Sequence, residues 1–287
     1  MAKQIDPVPD FVAVGHVTLD QTPSGTRPGG AAYYAALTAH RLGLRTALLT
    51  SFGPDFPADA LPADIAVVNV PSERTTIFTL DPSTRHRQLT LRARATDIEA
   101  DHLPGDWCEA PLGMLCPVMN EVDPALAGSF PDASLGVLPQ GWMRQRSAGG
   151  VITQEPWDDA DLVLPHAQLL VVSFEDIEPF EKPALEWFQF VPLAAVTQGA
   201  EGGVLFVNGE RYHVEPDRAA EVDATGAGDV FAAALLIEYH REGNPWEAAA
   251  VAACTAAASV EAAGAAGIPD RSALAARLAA YHRRLTG

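Results

Sequence analysis

The chain has 287 residues and carries 37 Asp and Glu against 19 Lys and Arg, a formal charge of −18 at pH 7. That length is enough for one large α/β domain or two small ones with a substantial core, and the charge argues against nucleic acid and anionic membranes as partners, since both need a basic surface to neutralise phosphates. An anionic cosubstrate must therefore arrive with its own cation. Lys3 and Lys182 are the only lysines and no GxxxxGK[ST] string is present, so a lysine-based phosphate loop is excluded. Cys108, Cys116 and Cys254 are odd in number and lack CxxC spacing, which points to neither a disulfide framework nor a zinc site and fits a cytoplasmic location. The start of the chain has no charged-then-apolar leader. The alanine-rich run 248–263 is interrupted by Cys254, Thr255, Ser259 and Glu261, so it reads as a buried helix and not a membrane span.

In chain order, Phe11 to Val14 is a short apolar run stopped by Gly15, the pattern of a buried parallel strand, and it delivers Asp20 beyond its C-terminal end. Ligands in open α/β sheets bind at that end, so Asp20 is either a substrate-hydroxyl acceptor or an ordinary turn acid. Gly29-Gly30 opens a helix that runs to about Leu42 and Gly43, and Thr46 to Ser51 forms the next strand. From about 65 to 95 the helices disappear. Ile65 to Val70, Thr75 to Leu80 and Arg87 to Ala95 read as strands, and Leu89, Leu91 and Ala93 alternate with Thr90, Arg92 and Arg94. We expect a small antiparallel sheet there, with Arg85, Arg87, Arg92 and Arg94 either solvated or in reach of a phosphate.

After Trp107 helices and strands alternate again. The strands are Leu112 to Val118, Ser134 to Leu138, Leu169 to Val172 and Leu193 to Thr197, with helical stretches near 123–130, 156–164 and 181–190. Val204 to Val207 and Arg211 to Val214 flank Asn208-Gly209, a hairpin signal, and helices follow at about 229–241, 246–262 and 271–285.

Asp223-Ala224-Thr225-Gly226-Ala227-Gly228-Asp229 runs directly into one of these helices. Glycine lets backbone approach a ligand closely and the first amides of a helix lack internal partners, so Ala227, Gly228 and Asp229 are expected to present N–H groups to an anion. Asp229 is either a helix cap or a general base that takes a proton from a hydroxyl attacking a phosphoryl group held there.

With Pro28-Gly29-Gly30-Ala31-Ala32 upstream and Thr197-Gln198-Gly199-Ala200-Glu201-Gly202 between, this motif resembles the ribokinase-like (phosphofructokinase B) family of carbohydrate kinases. The resemblance spans Val12 to Pro269. It implies one ribokinase-like domain over 1–287, a doubly wound mostly parallel sheet flanked by helices, with a small antiparallel β lid from about 65–95 and part of 16–28. A lid of this kind covers the sugar, and the protein would be a monomer or a homodimer through it. The activity implied is ATP- and Mg2+-dependent phosphorylation of a small sugar, polyol or nucleoside, with Asp229 as base and Gly226, Ala227 and Gly228 as anion hole. Asp20, Gly29, Gly30 and Tyr34 fall at substrate-binding positions, Tyr34 where the family usually has asparagine. Thr197, Gly199, Gly202, Thr225 and Gly264 fall at nucleotide positions, Gly264 within a loop bordering the adenine pocket. Asp176, with Ser173 where the family has asparagine, is a water-mediated magnesium site or a helix-capping acid. Asp223 and Thr225 with the Gly264 loop hold a potassium ion (K+) in some relatives.

Pro139-Gln140-Gly141-Trp142-Met143-Arg144 resembles the Gln-x-x-x-Arg segment of the inositol-kinase-like branch. Gln140 and Arg144 would then grip ring hydroxyls, or the arginine a phosphate; otherwise Gln140 simply ends a strand and Arg144 is surface. Tyr34 suggests an acceptor that packs on an aromatic ring, a cyclic polyol or a nucleoside. The alternative is a regulatory protein that keeps the fold and a ligand site without the chemistry. No GxGxxG follows the first strand, which disfavours an oxidoreductase.

Overall fold

The computed structural model describes residues 8–23, 25–81 and 88–286; Arg85 and Arg87 lie outside them. The strands in the first half are β1 (Phe11–Val14), β2 (Thr18–Thr22), β3 (Gly25–Gly29), β4 (Thr46–Phe52), β5 (Ala66–Pro71), β6 (Thr76–Asp81) and β7 (Gln88–Ala93). They are followed by β8 (Leu112–Leu115), β9 (Ser134–Val137), β10 (Arg144–Arg146), β11 (Ile152–Gln154), β12 (Leu169–Ser173), β13 (Leu193–Thr197), β14 (Gly203–Val207) and β15 (Glu210–Val214). The helices are α1 (Ala31–Arg41), α2 (Ala160–Val163), α3 (Phe174–Ile177), α4 (Glu181–Trp187), α5 (Ala227–Glu242), α6 (Pro245–Ser259) and α7 (Arg271–Thr286).

The large sheet has the order β15-β14-β13-β12-β9-β8-β1-β4-β5, parallel from β13 to β5 and closed at the other edge by the antiparallel β14–β15 hairpin. Its inner strands β1, β4, β8, β9, β12 and β13 are buried almost throughout, as parallel strands under helices are, while the edge strands β5 and β15 are partly exposed. On β1, Phe11 and Ala13 join the core shared with α1, α5 and α6, while Val12 and Val14 join the opposite core with Trp107, Trp142 and Trp157. The alanine-rich run is α6, packed against α5 in the first core; among the described residues no helix is long and apolar enough to cross a membrane.

A second sheet, β3-β2-β6-β7, stands off the first. Its outer pairs are antiparallel, but β2 and β6 run parallel because β6 returns from the edge of the large sheet rather than from a hairpin with β2. The segment at 65–70, expected in this lid, is β5 and belongs to the large sheet. It pairs in parallel with β4 from Ala47↔Ala66 to Phe52↔Pro71, and Asn69 bonds the backbone of Phe52 through both ends of its amide. The crossover between β4 and β5 contains no helix, which is why the pattern looked like a break from the α/β alternation.

Two further differences have local causes. The stretch at 123–130 is a 3-10 helix over Pro124–Ser129, capped by Asp123, and 156–164 holds only the short α2 followed by a Pro165-containing 3-10 turn. The β10–β11 hairpin, unforeseen in the sequence, reaches the lid, where Leu91 N donates to Gly150 O at 2.8 Å. Arg92 and Arg94 are spent locally: Arg92 donates to Thr79 Oγ1, and Arg94 to the carbonyls of Met119 and Asn120.

Candidate active site

The C-terminal ends of the parallel strands converge beside the N-terminus of α5, the place where open α/β sheets bind ligands. Gly226, with φ 78°, turns the chain into α5, and Val230 N makes the first helical bond to Gly226 O. Ala227 N is turned back to Ala224 O at 3.3 Å, whereas the N–H groups of Gly228 and Asp229 carry no backbone partner among the described residues. Of the three amides expected to face an anion, two are therefore free. The glycines of this turn serve different ends. A Cβ on Gly226 would meet the ring of Tyr34 at 2.5 Å, so this glycine is demanded by the fold. A Cβ on Gly228 would meet only Thr197 Oγ1 at 3.9 Å, so nothing among the described residues requires glycine there.

Asp229 lies on the floor of a cleft of about 900 Å³. Burial pushes its pKa up to about 7; the Arg144 guanidinium and the Gln140 bond pull down, and the Asp176 and Asp20 carboxylates push up. Gln140 Nε2 donates to Asp229 Oδ1 at 3.3 Å, and Arg144 Nη2 donates to Gln140 Oε1 at 3.0 Å. The arginine thereby fixes which end of the amide faces the carboxylate. Its other terminal nitrogen is held by Val118 O at 3.0 Å. Gln140 and Arg144, expected to grip the acceptor, are thus joined first to Asp229.

Along the cleft wall stand Asp176 from α3 and Thr197, Gly199 and Gly202 from the turn after β13. Gly202, with φ 83°, closes against Val214 O, where a Cβ would come to 2.2 Å. Ser173 caps α3 by accepting from Glu175 N, and Asp176 accepts from Gln154 Nε2 at 2.7 Å, with burial raising its pKa. Among the described residues no three acidic, histidine or cysteine side chains gather as a metal cage. Farther out, the cleft is lined by Pro216, Ala256, Ala257 and Val260.

On the other side of Asp229, Asp20 sits on β2 with 7% exposure, held by Thr18 Oγ1 at 2.9 Å, its pKa raised by burial. Gly29 leaves room for it: a Cβ there would come to 2.3 Å from Asp20 Oδ2. Gly30, with φ 98°, starts α1 where a Cβ would meet His16 O at 2.5 Å. Tyr34 departs from expectation. It is 2% exposed with its ring under Gly226, so no ring face is available for a substrate to stack on. Its hydroxyl is buried without a partner among the described residues, and its pKa is raised by burial and by Asp20, Asp223 and Asp229.

Thr225, Gly264 and Asp223 come together in one cluster, as the resemblance grouped them. None lines the cleft. Gly264 N donates to Asp223 Oδ2 at 2.8 Å, Thr225 N to Asp223 Oδ1 at 3.1 Å, and the Arg27 guanidinium from β3 pairs with the same carboxylate. Arg27 is a site residue that sequence reasoning missed, because it meets Asp223 across 196 positions of chain.

Residues 126–271 match the model of the pfkB family of carbohydrate kinases. A cytidine kinase from Thermococcus kodakarensis is 26% identical over 264 residues, covering 83% of this chain and 91% of that one. A pyrophosphate-dependent myo-inositol-1 kinase converted into a myo-inositol-3 kinase superposes with a TM-score of 0.78 at 20% identity, over 94% of this chain and 98% of that one. A fructokinase from Vibrio cholerae, solved with fructose, ADP and a potassium ion, superposes with a TM-score of 0.70 at 21% identity, over 94% and 98% of the two chains.

Proposed function

Because the chain belongs to the pfkB family of carbohydrate kinases, we propose that it transfers the terminal phosphoryl group of ATP to a hydroxyl of a neutral nucleoside or cyclic polyol. The observation that carries this reading is the placement of Asp229 beside the two free amides of Gly228 and Asp229 at the head of α5. A carboxyl whose pKa is pushed up to about 7 has a proton affinity suited to a general base at neutral pH. It would take the proton of the attacking hydroxyl while the amides meet the charge on the phosphoryl group. Asp20, buried and acceptor-only when ionised, suits a neighbouring hydroxyl of the same acceptor.

Magnesium bound with the nucleotide would supply the positive charge that the acidic chain lacks, with Asp176 and Glu175 as the oxygen groups on the cleft wall able to hold it through water. The outer cleft, lined by Pro216, Ala256, Ala257 and Val260, suits a flat base. The preference for an uncharged acceptor rests on charge. Arg27 and Arg144 are the cations whose fields reach Asp20, and both are committed to partners inside the chain. The similarity to a cytidine kinase and to an inositol kinase agrees with such an acceptor. Comparing kcat/KM for nucleosides, inositols, ribose and fructose 6-phosphate tests the proposal, and a preference of more than about tenfold for fructose 6-phosphate, 1.4 kcal/mol in transition-state binding, would overturn it.

A further inference from the structure

Arg27 stands opposite Asp20 in the β2–β3 ladder, but its guanidinium bonds elsewhere. It reaches out of the lid to the turn before α5, where Nη1 pairs with Asp223 Oδ2 and Nη2 donates to Asp223 Oδ1 at 3.2 Å and to Thr225 Oγ1 at 3.1 Å. Gly264 N and Thr225 N complete the set around the two carboxylate oxygens. Burial pushes the Asp223 pKa up, but the Gly264 and Thr225 bonds and the Arg27 charge outweigh it and leave the carboxyl below its ordinary value. Asp223 is therefore an anion with a resident cation, only 11% exposed, in a region that already holds Asp20 and Asp229. Arg27 holds this post although its own Nε is buried with no partner among the described residues, which costs desolvation free energy.

A monovalent cation does not fit here as the chain stands. The oxygens it would use, those of Asp223 and Thr225, are already taken by a guanidinium, and a second positive charge beside Arg27 would be repelled. We infer that Arg27 does the work of a monovalent cation: it neutralises Asp223, locks the Asp223-to-Gly226 turn to the lid strand that carries Asp20, and makes the protein indifferent to potassium. Arg27 is thus a positioning residue. Its charge holds the turn from which the Gly228 and Asp229 amides project, and β3 ties that turn to the acceptor side. If Arg27 is shortened, the Asp223 and Thr225 oxygens are freed and a soluble cation gains a place to bind. This inference rests on the kinase reading only for the meaning of the turn; the cation response can be read without any turnover.

The test exchanges potassium, sodium and choline chloride at constant ionic strength and follows the melting temperature and the turnover of the wild type, Arg27→Met and Arg27→Lys. The wild type should melt and turn over equally in all three salts. Arg27→Met should lose at least about tenfold in turnover in choline, as expected on removing one side of a charge-assisted, partly buried pair. Potassium should raise its melting temperature and restore part of its activity, and Arg27→Lys should fall between the two. A wild type stabilised or stimulated by potassium over choline would overturn the inference without any variant. So would an Arg27→Met protein with normal turnover, or one whose melting temperature ignores potassium. If no acceptor is phosphorylated by any form, the kinase reading fails while the melting data still decide the role of Arg27.

Discussion

Gln140 and Asp229 are joined by a 3.3 Å hydrogen bond in which Gln140 donates, and the orientation of that amide is set by Arg144 at its other end. The pair lies between the end of β9 and the head of α5, 89 positions apart in the chain. A donor to the carboxylate favours its ionised form, and so does the nearby Arg144 charge. Gln140→Leu removes the donor and leaves Arg144 with Val118 O but without the Gln140 amide. Turnover near neutral pH is expected to fall by about 10- to 100-fold, the effect of losing one hydrogen bond of about 1.5–3 kcal/mol to a charged group. The pH at which activity is half-maximal should move up. Unchanged activity and pH profile in a folded variant would separate Gln140 from the base.

The pKa of about 7 fixes a pH dependence with a definite sign. Asp229 must be ionised to accept a proton, so kcat/KM of the free protein should fall with unit slope as pH drops below about 7. Asp176 is one of the carboxylates that raise this pKa. Asp176→Asn should therefore shift the acid limb downward, whatever it does to metal binding. Stability runs the other way. A carboxyl raised above its unfolded value favours the fold below the unfolded pKa and loses that contribution as pH rises through the folded value. Asp229→Asn should accordingly melt at least as high as the wild type at pH 8, and denaturation curves at pH 5 and pH 8 check this.

Gly226 and Gly228 are two positions apart and should respond differently to the same substitution. Gly226→Ala puts a methyl into the Tyr34 ring at 2.5 Å from a backbone with φ 78°, and should cost stability by a few kcal/mol through overpacking and backbone strain. Gly228→Ala meets only Thr197 Oγ1 at 3.9 Å and should leave the melting temperature close to that of the wild type. Its methyl would stand in the space beside the free amides, so nucleotide affinity should drop while the fold persists. Calorimetric titration with ATP distinguishes the two, and normal affinity in Gly228→Ala would move the anion site elsewhere.

Much of this was legible in the sequence, and the rest was hidden for identifiable reasons. The parallel strands were visible as short apolar runs because burial on both faces leaves a composition signal, as Val12 and Val14 show on one face and Phe11 and Ala13 on the other. The turn before α5 was visible because Gly226 needs a positive φ and Gly228 leaves open space. The β5 strand was misplaced because its crossover lacks a helix, so its parallel pairing with β4 left no pattern. Tyr34 was expected to offer a ring to the substrate; its ring instead lies under Gly226, a contact between two motifs that each looked complete alone. Arg27 was hidden for the same reason. A lone arginine on a short polar strand carries no local sign that its partner is Asp223, 196 positions away.

In the proposed reaction Asp229 is the base at a phosphoryl-transfer site. The most direct measurement is single-turnover phosphorylation by Asp229→Asn with the preferred acceptor, alongside its affinity for ATP and its melting curve. The substitution keeps the side-chain shape and removes the proton acceptor, so turnover should fall by about 10²–10⁴ while nucleotide binding and folding persist. Near-normal turnover in that variant would contradict the assignment and leave Asp229 as a buried acid at the head of α5 with no part in the chemistry.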